Sequence, residues 1–196
     1  NLPSQEAPSI AIRHGQSAFI RFVKKGRHRI NRFLSRYSLV GDMPTYDPAI
    51  FTWLEGLNAC AKAITEELHE ILRHREAIPP FRDFAPGHER IAPGADDWRS
   101  FFFYGYGYPV AENLARCPAT GQALTKVPNL VSAIYSVVGA GAHIRRHRGV
   151  SKAIMTVHVP LIVPTDAEKC RMEVGDRMVV WQLGTPVIID DTYFHE

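Results

Sequence analysis

The chain has 196 residues, 45% hydrophobic and 22% charged, with 23 Lys and Arg against 20 Asp and Glu. That length and balance fit one globular domain with an arm and exclude a mainly disordered or fibrous chain, and no run approaches the roughly 18 apolar residues of a spanning helix. A net charge of +3 is too small to imply a nucleic-acid partner, and three dispersed cysteines without C-x-x-C spacing fit a reducing, cytoplasmic setting rather than a structural zinc site.

Residues 1–40 read as a basic arm. Arg21, Lys24, Lys25, Arg27, Arg29, Arg32 and Arg36 are interleaved with Phe19, Ile20, Phe22, Val23, Ile30, Phe33 and Leu34, and without that cluster the chain is net acidic. Such a mixture suits an anionic membrane surface or an acidic partner. It equally suits an arm that packs its apolar side on the domain, which is the expectation here because Gly26 interrupts a long amphipathic helix.

Residues 41–196 form the domain proper. A supporting helical region is expected over 47–78, with Asp47 as N-cap and Pro48 at the first helical position. Phe51, Leu54, Leu57, Ala61, Ile64, Leu68 and Ile71 supply its apolar face, and Glu66, Glu67, His69 and Glu70 fall on the solvent side. Pro79-Pro80 should stop it, and the Pro- and Gly-rich stretch 79–97 reads as a loop. From Trp98 to the end the signal is β. Phe101 to Tyr104 is either a ligand-stacking platform or a core strand. After a helical patch at 114–124, short runs at 131–138, 153–163, 170–174, 177–181 and 186–189 are separated by turn residues, the pattern of a sandwich or barrel.

The chemistry-bearing candidates are histidines. His147 and His195 each lie beside a strand-like run, 48 positions apart, and two such residues can meet at one metal. The facial triad of non-haem iron oxygenases has the form H-x-[D/E]…H, but here the run is His147-Arg148-Gly149, without the carboxylate. On spacing alone, these histidines fit ordinary core or surface positions as well as metal ligands.

The order of short motifs from Asp97-Trp98 onward adds to this. It comprises Tyr104-Gly105-Tyr106-Gly107, Cys117-Pro118-Ala119-Thr120, Ala133-Ile134-Tyr135-Ser136, Gly141-Ala142-His143-Ile144, His147-Arg148-Gly149, His158-Val159-Pro160-Leu161, Trp181 and Asp190-Asp191-Thr192-Tyr193-Phe194-His195-Glu196. Together they resemble the aspartyl/asparaginyl β-hydroxylase family of Fe(II)- and 2-oxoglutarate-dependent oxygenases, over about half the chain. In that family the aspartyl hydroxylases also carry glycine at the position of Gly149.

The resemblance implies a mainly β fold with flanking helices, a double-stranded β-helix (jelly roll, cupin-like) whose core runs over about 98–196. It implies that His147 and His195 hold Fe(II), and that Ser136 and His158 hold the distal carboxylate of 2-oxoglutarate by hydrogen-bond donation. Asp191 could orient His195 or simply make a turn. The family's arginine on the following strand would lie beyond Glu196, so the chain is expected to continue. The arginine that grips an aspartyl substrate before His158 is also missing, leaving Lys152, Arg145, Arg146 and Arg148 as candidate replacements. The implied activity is hydroxylation of an unactivated C–H bond of a peptide or small amino-acid-like substrate, consuming dioxygen and 2-oxoglutarate. The alternatives are a lipid A-like lipid hydroxylase held near the membrane by the basic arm, although those enzymes keep an aspartate where this chain has Gly149, and a non-catalytic cupin-like binding module.

Overall fold

The computed structural model describes residues 26–84, 90–94 and 98–196; the arm before residue 26 and the Asp97 position lie outside them. Residues 26–35 form a helix, α1. Its Asn31 side chain donates to the Val150 carbonyl (3.2 Å) and accepts from the Lys152 N–H (3.2 Å), which ties the helix to the domain. The expected inward packing of the arm's apolar residues is corrected at two of them, Ile30 and Phe33, which are exposed, as is Tyr37 just after the helix.

Asp47 does accept from Ala49 N–H (2.9 Å), but it caps a single 3₁₀ turn, Pro48–Ile50, rather than a long helix. The chain then forms α2 (Leu54–Asn58) and α3 (Ala61–Leu72). The break has a geometric reason. Phe51, Leu54 and Leu57 repeat every three residues, which drifts around a 3.6-residue helix, so burying all three with Ile64, Leu68 and Ile71 requires the chain to bend.

The longest strand, β2 (Trp98–Gly105), lies between β3 (Tyr108–Pro109) and β4 (Ala133–Val138) in an antiparallel sheet. Phe101 and Phe103 resolve the platform question in favour of core. Both are buried, and Tyr135 of β4 lies with its ring 6.2 Å from one and 4.7 Å from the other. The β2–β3 turn needs left-handed backbone at Tyr106 (φ 53°) and Gly107 (φ 86°), the second of which only glycine adopts without strain.

Two short helices, α4 (Ala111–Arg116) and α5 (Pro118–Leu124), follow β3. Cys117 offers α5 no side-chain cap. Glu67 of α3, expected at the solvent face, caps it from outside, accepting from the N–H groups of Ala119 (2.7 Å) and Thr120 (2.9 Å) and from the Thr120 hydroxyl (2.7 Å). Thr120 Oγ1 also lies 2.5 Å from the Tyr135 hydroxyl, so two of the recognised motifs meet in a buried polar joint between α3, α5 and β4.

The remaining strands are β5 (Thr156–His158), β6 (Arg171–Val174), β7 (Arg177–Val180) and β8 (Val187–Ile189). Strand β8 pairs antiparallel with both β5 and the short β1 (Thr45–Tyr46), and β6 pairs with β7. Alternation along β8 divides the interior. Ile188 joins the main core with the helices and β2, whereas Ile189 joins a second core with Met172 and Val174. Beside β6, residues 194–196 run antiparallel, with Glu173 and Glu196 exchanging both backbone hydrogen bonds (2.9 and 3.1 Å), and their other edge pairs with His147. The result is a mixed fold of antiparallel sheets and helices, less dominated by strand than expected. Among the described residues no helix is long and apolar enough to cross a membrane.

Candidate active site

His147 and His195 exchange both backbone hydrogen bonds, each 2.9 Å, so they are a directly opposed antiparallel pair and their side chains leave the same face. Their ring centroids are 4.2 Å apart. His147 Nδ1 lies 2.8 Å from the Arg145 carbonyl and His195 Nδ1 3.0 Å from the Tyr193 carbonyl. A carbonyl can only accept, so each Nδ1 carries the proton and each Nε2 the lone pair. Two imidazoles with backbone-fixed tautomers and neighbouring Nε2 lone pairs form a two-nitrogen donor set for a transition metal.

A carboxylate sits beside this pair. Gly149 N–H donates to the Asp191 carbonyl (2.6 Å), and the Asp191 side chain folds over the glycine so closely that a Cβ at position 149 would overlap all three carboxylate atoms. The position without a side chain in the His-x-Gly run is thus filled by the carboxylate of a residue 42 positions later. Burial pushes the Asp191 carboxyl above its ordinary range, against the opposing pull of His195. Thr156 Oγ1 lies 3.5 Å from Asp191 Oδ2, while Oδ1 is buried without a hydrogen-bond partner among the described residues. That orphan acceptor, the cradle over Gly149 and the two imidazoles fit a divalent iron. No group of three His, Cys, Asp or Glu among the described residues has metal-holding geometry by itself, so the donor set is two histidines with a carboxylate alongside.

Ser136 lies on β4 and is linked to His147 through Trp98, whereas His158 lies on β5 with its ring 5.1 Å from Trp181. In the β2–β4 register Trp98 opposes Val138 and Ser100 opposes Ser136, which puts Trp98 and Ser136 on the face away from the Phe101–Tyr135 core. Trp98 Nε1 donates to Ser136 Oγ (2.9 Å), and its ring stands 6.4 Å from His147. Phe81 stacks on the same indole at 4.0 Å. Because the serine oxygen accepts from tryptophan, its own proton remains to be donated. His158 Nε2 is buried without a partner, and burial, reinforced by His195, lowers its pKa to about 4. A neutral imidazole with an unpartnered buried nitrogen fits an incoming carboxylate, which would relieve a cost of about 1–3 kcal/mol. Contacts therefore run from Ser136 through Trp98 and His147 to His195.

The candidate replacement cations separate. Lys152 is buried and salt-bridged to both Asp42 and Asp190, which removes it from the substrate rim. Arg146 and Arg148 lie over the Phe194 ring at 5.0 and 4.7 Å, and Arg148 also contacts His28 Nε2 at 2.5 Å. Arg145 is held at the Ile91 and Arg90 carbonyls (2.9 and 3.5 Å). By contrast, Val150, Ile154 and Met155 are exposed on the segment between His147 and β5.

Sequence reasoning undervalued Trp98 and Asp191. The indole was legible only as part of a motif, and a carboxylate supplied across 42 positions has no local spacing signal.

Residues 58–196 match the family model described as aspartyl/asparaginyl beta-hydroxylase. The chain is 33% identical over 161 residues (82% of its length) to the ornithine lipid ester-linked acyl 2-hydroxylase of Rhizobium tropici, spanning 57% of that protein. It is 25% identical over 118 residues (58% of its length) to the aspartyl/asparaginyl beta-hydroxylases of Homo sapiens and Mus musculus, spanning 15% and 16% of them.

Proposed function

The chain belongs to the aspartyl/asparaginyl β-hydroxylase family, and from that premise we propose that it is an Fe(II)- and 2-oxoglutarate-dependent dioxygenase hydroxylating an unactivated C–H bond in a lipid acyl chain. The hydroxylase class follows from the family; the cofactors, the double-stranded β-helix reading of the sheets and the substrate are this proposal. The observation that carries it is the His147–His195 pair, with both Nδ1 atoms tied to backbone carbonyls and the Asp191 carboxylate over Gly149.

Bound iron would supply activation of dioxygen coupled to the oxidative decarboxylation of 2-oxoglutarate. The protein's part is positional. His147 and His195 would hold the metal through their Nε2 lone pairs, with the Asp191 carboxylate beside them over Gly149. Ser136, oriented by the Trp98 N–H, would donate its hydroxyl proton to the distal carboxylate of the cosubstrate. His158 would donate from Nε2 to the same carboxylate, which would satisfy its orphan nitrogen. Phe81 and Trp98 form a stacked wall on one side of His147.

An acyl substrate is favoured over an aspartyl one by the surroundings. Lys152 is already neutralised by Asp42 and Asp190, so a substrate carboxylate would have to be buried without that partner. The 33% identity to a lipid acyl hydroxylase over 82% of the chain supports the same choice. Gly149, shared with the aspartyl hydroxylases, favours the peptide reading.

The test is a panel of an acyl-chain lipid, a neutral peptide and an aspartyl peptide, presented to iron-loaded protein with 2-oxoglutarate and scored by gain of one oxygen atom. Oxygenation of the lipid alone is expected. Efficient oxygenation of the aspartyl peptide would return the peptide reading, and no oxygenation with no succinate would leave the binding module.

A further inference from the structure

Helix α1 and the turn that continues it carry two stripes that the site does not use. Ile30, Phe33 and Tyr37 recur at three- and four-residue spacing and are 59%, 56% and 68% exposed, with the Phe33 and Tyr37 rings 5.1 Å apart. Arg29, Arg32 and Arg36 repeat with the same spacing and lie exposed along the flank of that stripe. The face with Asn31 is the one bonded to the domain, through Val150 and Lys152. The charge is one-sided. From Ala7 to Gly41 the sequence has eight Lys and Arg and no Asp or Glu.

We propose that this face of α1 docks on an anionic lipid bilayer, with Ile30, Phe33 and Tyr37 entering the headgroup–acyl boundary and Arg29, Arg32 and Arg36 meeting the anionic headgroups. An apolar stripe with an aromatic pair beside a row of arginines is the composition of an interfacial helix. A nucleic acid would leave the apolar stripe in water, and a second copy of this chain would bring two arginine rows together. The other side of the helix is tied to the site. Asn31 holds the 150–152 backbone and His28 contacts Arg148, the residue after His147. The helix that would meet the bilayer thus adjoins the segment bearing exposed Val150, Ile154 and Met155. The inference rests on the lipid reading of the site for its purpose, but its test requires no turnover.

The experiment is co-sedimentation of the full chain, without iron or cosubstrate, with vesicles of phosphatidylcholine alone or of phosphatidylcholine and phosphatidylglycerol at about three to one. Binding to the anionic vesicles only is expected, lost at high salt. Each arginine near such a surface contributes about a fivefold gain in partition, so the R29Q/R32Q/R36Q variant should bind about a hundredfold more weakly. F33S/Y37S should also release the protein, and both variants should keep the parent's circular dichroism and thermal unfolding midpoint. Equal binding to neutral vesicles, unchanged binding by the arginine variant, or a dimer dispersed by F33S/Y37S in the absence of vesicle binding would each overturn the proposal. Vesicle binding without lipid oxygenation would sink the lipid substrate and leave the docking face standing.

Discussion

Replacing Gly149 by alanine should destabilise the protein, although the backbone there tolerates alanine. Gly149 is not in the left-handed region, so by chain entropy alone the substitution would stabilise the fold by about 0.4–1 kcal/mol. The new Cβ, however, would sit on the Asp191 carboxylate, well inside the 3.0 Å that real Cβ atoms essentially never breach. Neither side can give way freely. The backbones of 149 and 191 are joined by a 2.6 Å hydrogen bond, and Asp191 is a short, buried side chain. Overpacking of this kind costs about 1–3 kcal/mol, or about 3–10 °C in Tm for a domain of this size. Thermal unfolding by circular dichroism reads it directly, and a double-mutant cycle isolates the cause. On an Asp191→Gly background the same Gly149→Ala change should be neutral or stabilising. A single variant as stable as the parent, or an equal loss on both backgrounds, would refute the claim that Asp191 fills the space above Gly149.

Asp190 is buried against Lys152, so Lys152→Met should cost about 3–5 kcal/mol by stranding a carboxylate, and adding Asp190→Asn should recover much of that loss in urea unfolding. Glu67→Ala uncaps α5 and strips the Thr120 hydroxyl of its acceptor, so a loss of about 1–2 kcal/mol is expected by the same assay. His158→Ala should weaken 2-oxoglutarate binding about tenfold or more, the worth of a hydrogen bond to a charged group, with metal affinity little changed by calorimetry. The folded His158 imidazole takes its proton only near pH 4, whereas the unfolded chain takes it near 6.5, so the unfolded state binds more protons between those values. The ligand-free protein should therefore hold its full stability above about pH 6.5 and lose on the order of 3 kcal/mol as the pH falls to 4, and a His158→Asn variant with the same pH dependence as the parent would remove His158 as the cause.

Much of this architecture was legible in the residues, for reasons that differ by element. The runs that became β2, β4, β6, β7 and β8 were readable because β-branched and aromatic stretches are bounded by turn residues. The helical support was readable as a buried face but not as three pieces, because spacings of three and four residues both fit one helix face until the burial of Phe51, Leu54 and Leu57 together is known. His147 and His195 could be singled out, but their approach depends on a backbone pairing between segments 48 positions apart, which local periodicity does not encode. Glu67 read as a surface carboxylate for the same reason: the helix end it caps begins 51 residues later, at Pro118. Lys152 looked like a free rim cation until the fold brought Asp42 and Asp190 to it.

His147 and His195 are proposed to hold the iron that couples 2-oxoglutarate to oxygenation of an acyl chain. Turnover under ¹⁸O-labelled dioxygen, followed by mass spectrometry of both products, tests this most directly. One labelled oxygen is expected in the hydroxylated acyl chain and one in succinate, in equal amounts, with neither formed by His147→Ala or His195→Ala. An unlabelled hydroxyl group, or a His147→Ala protein that turns over like the parent, would contradict it.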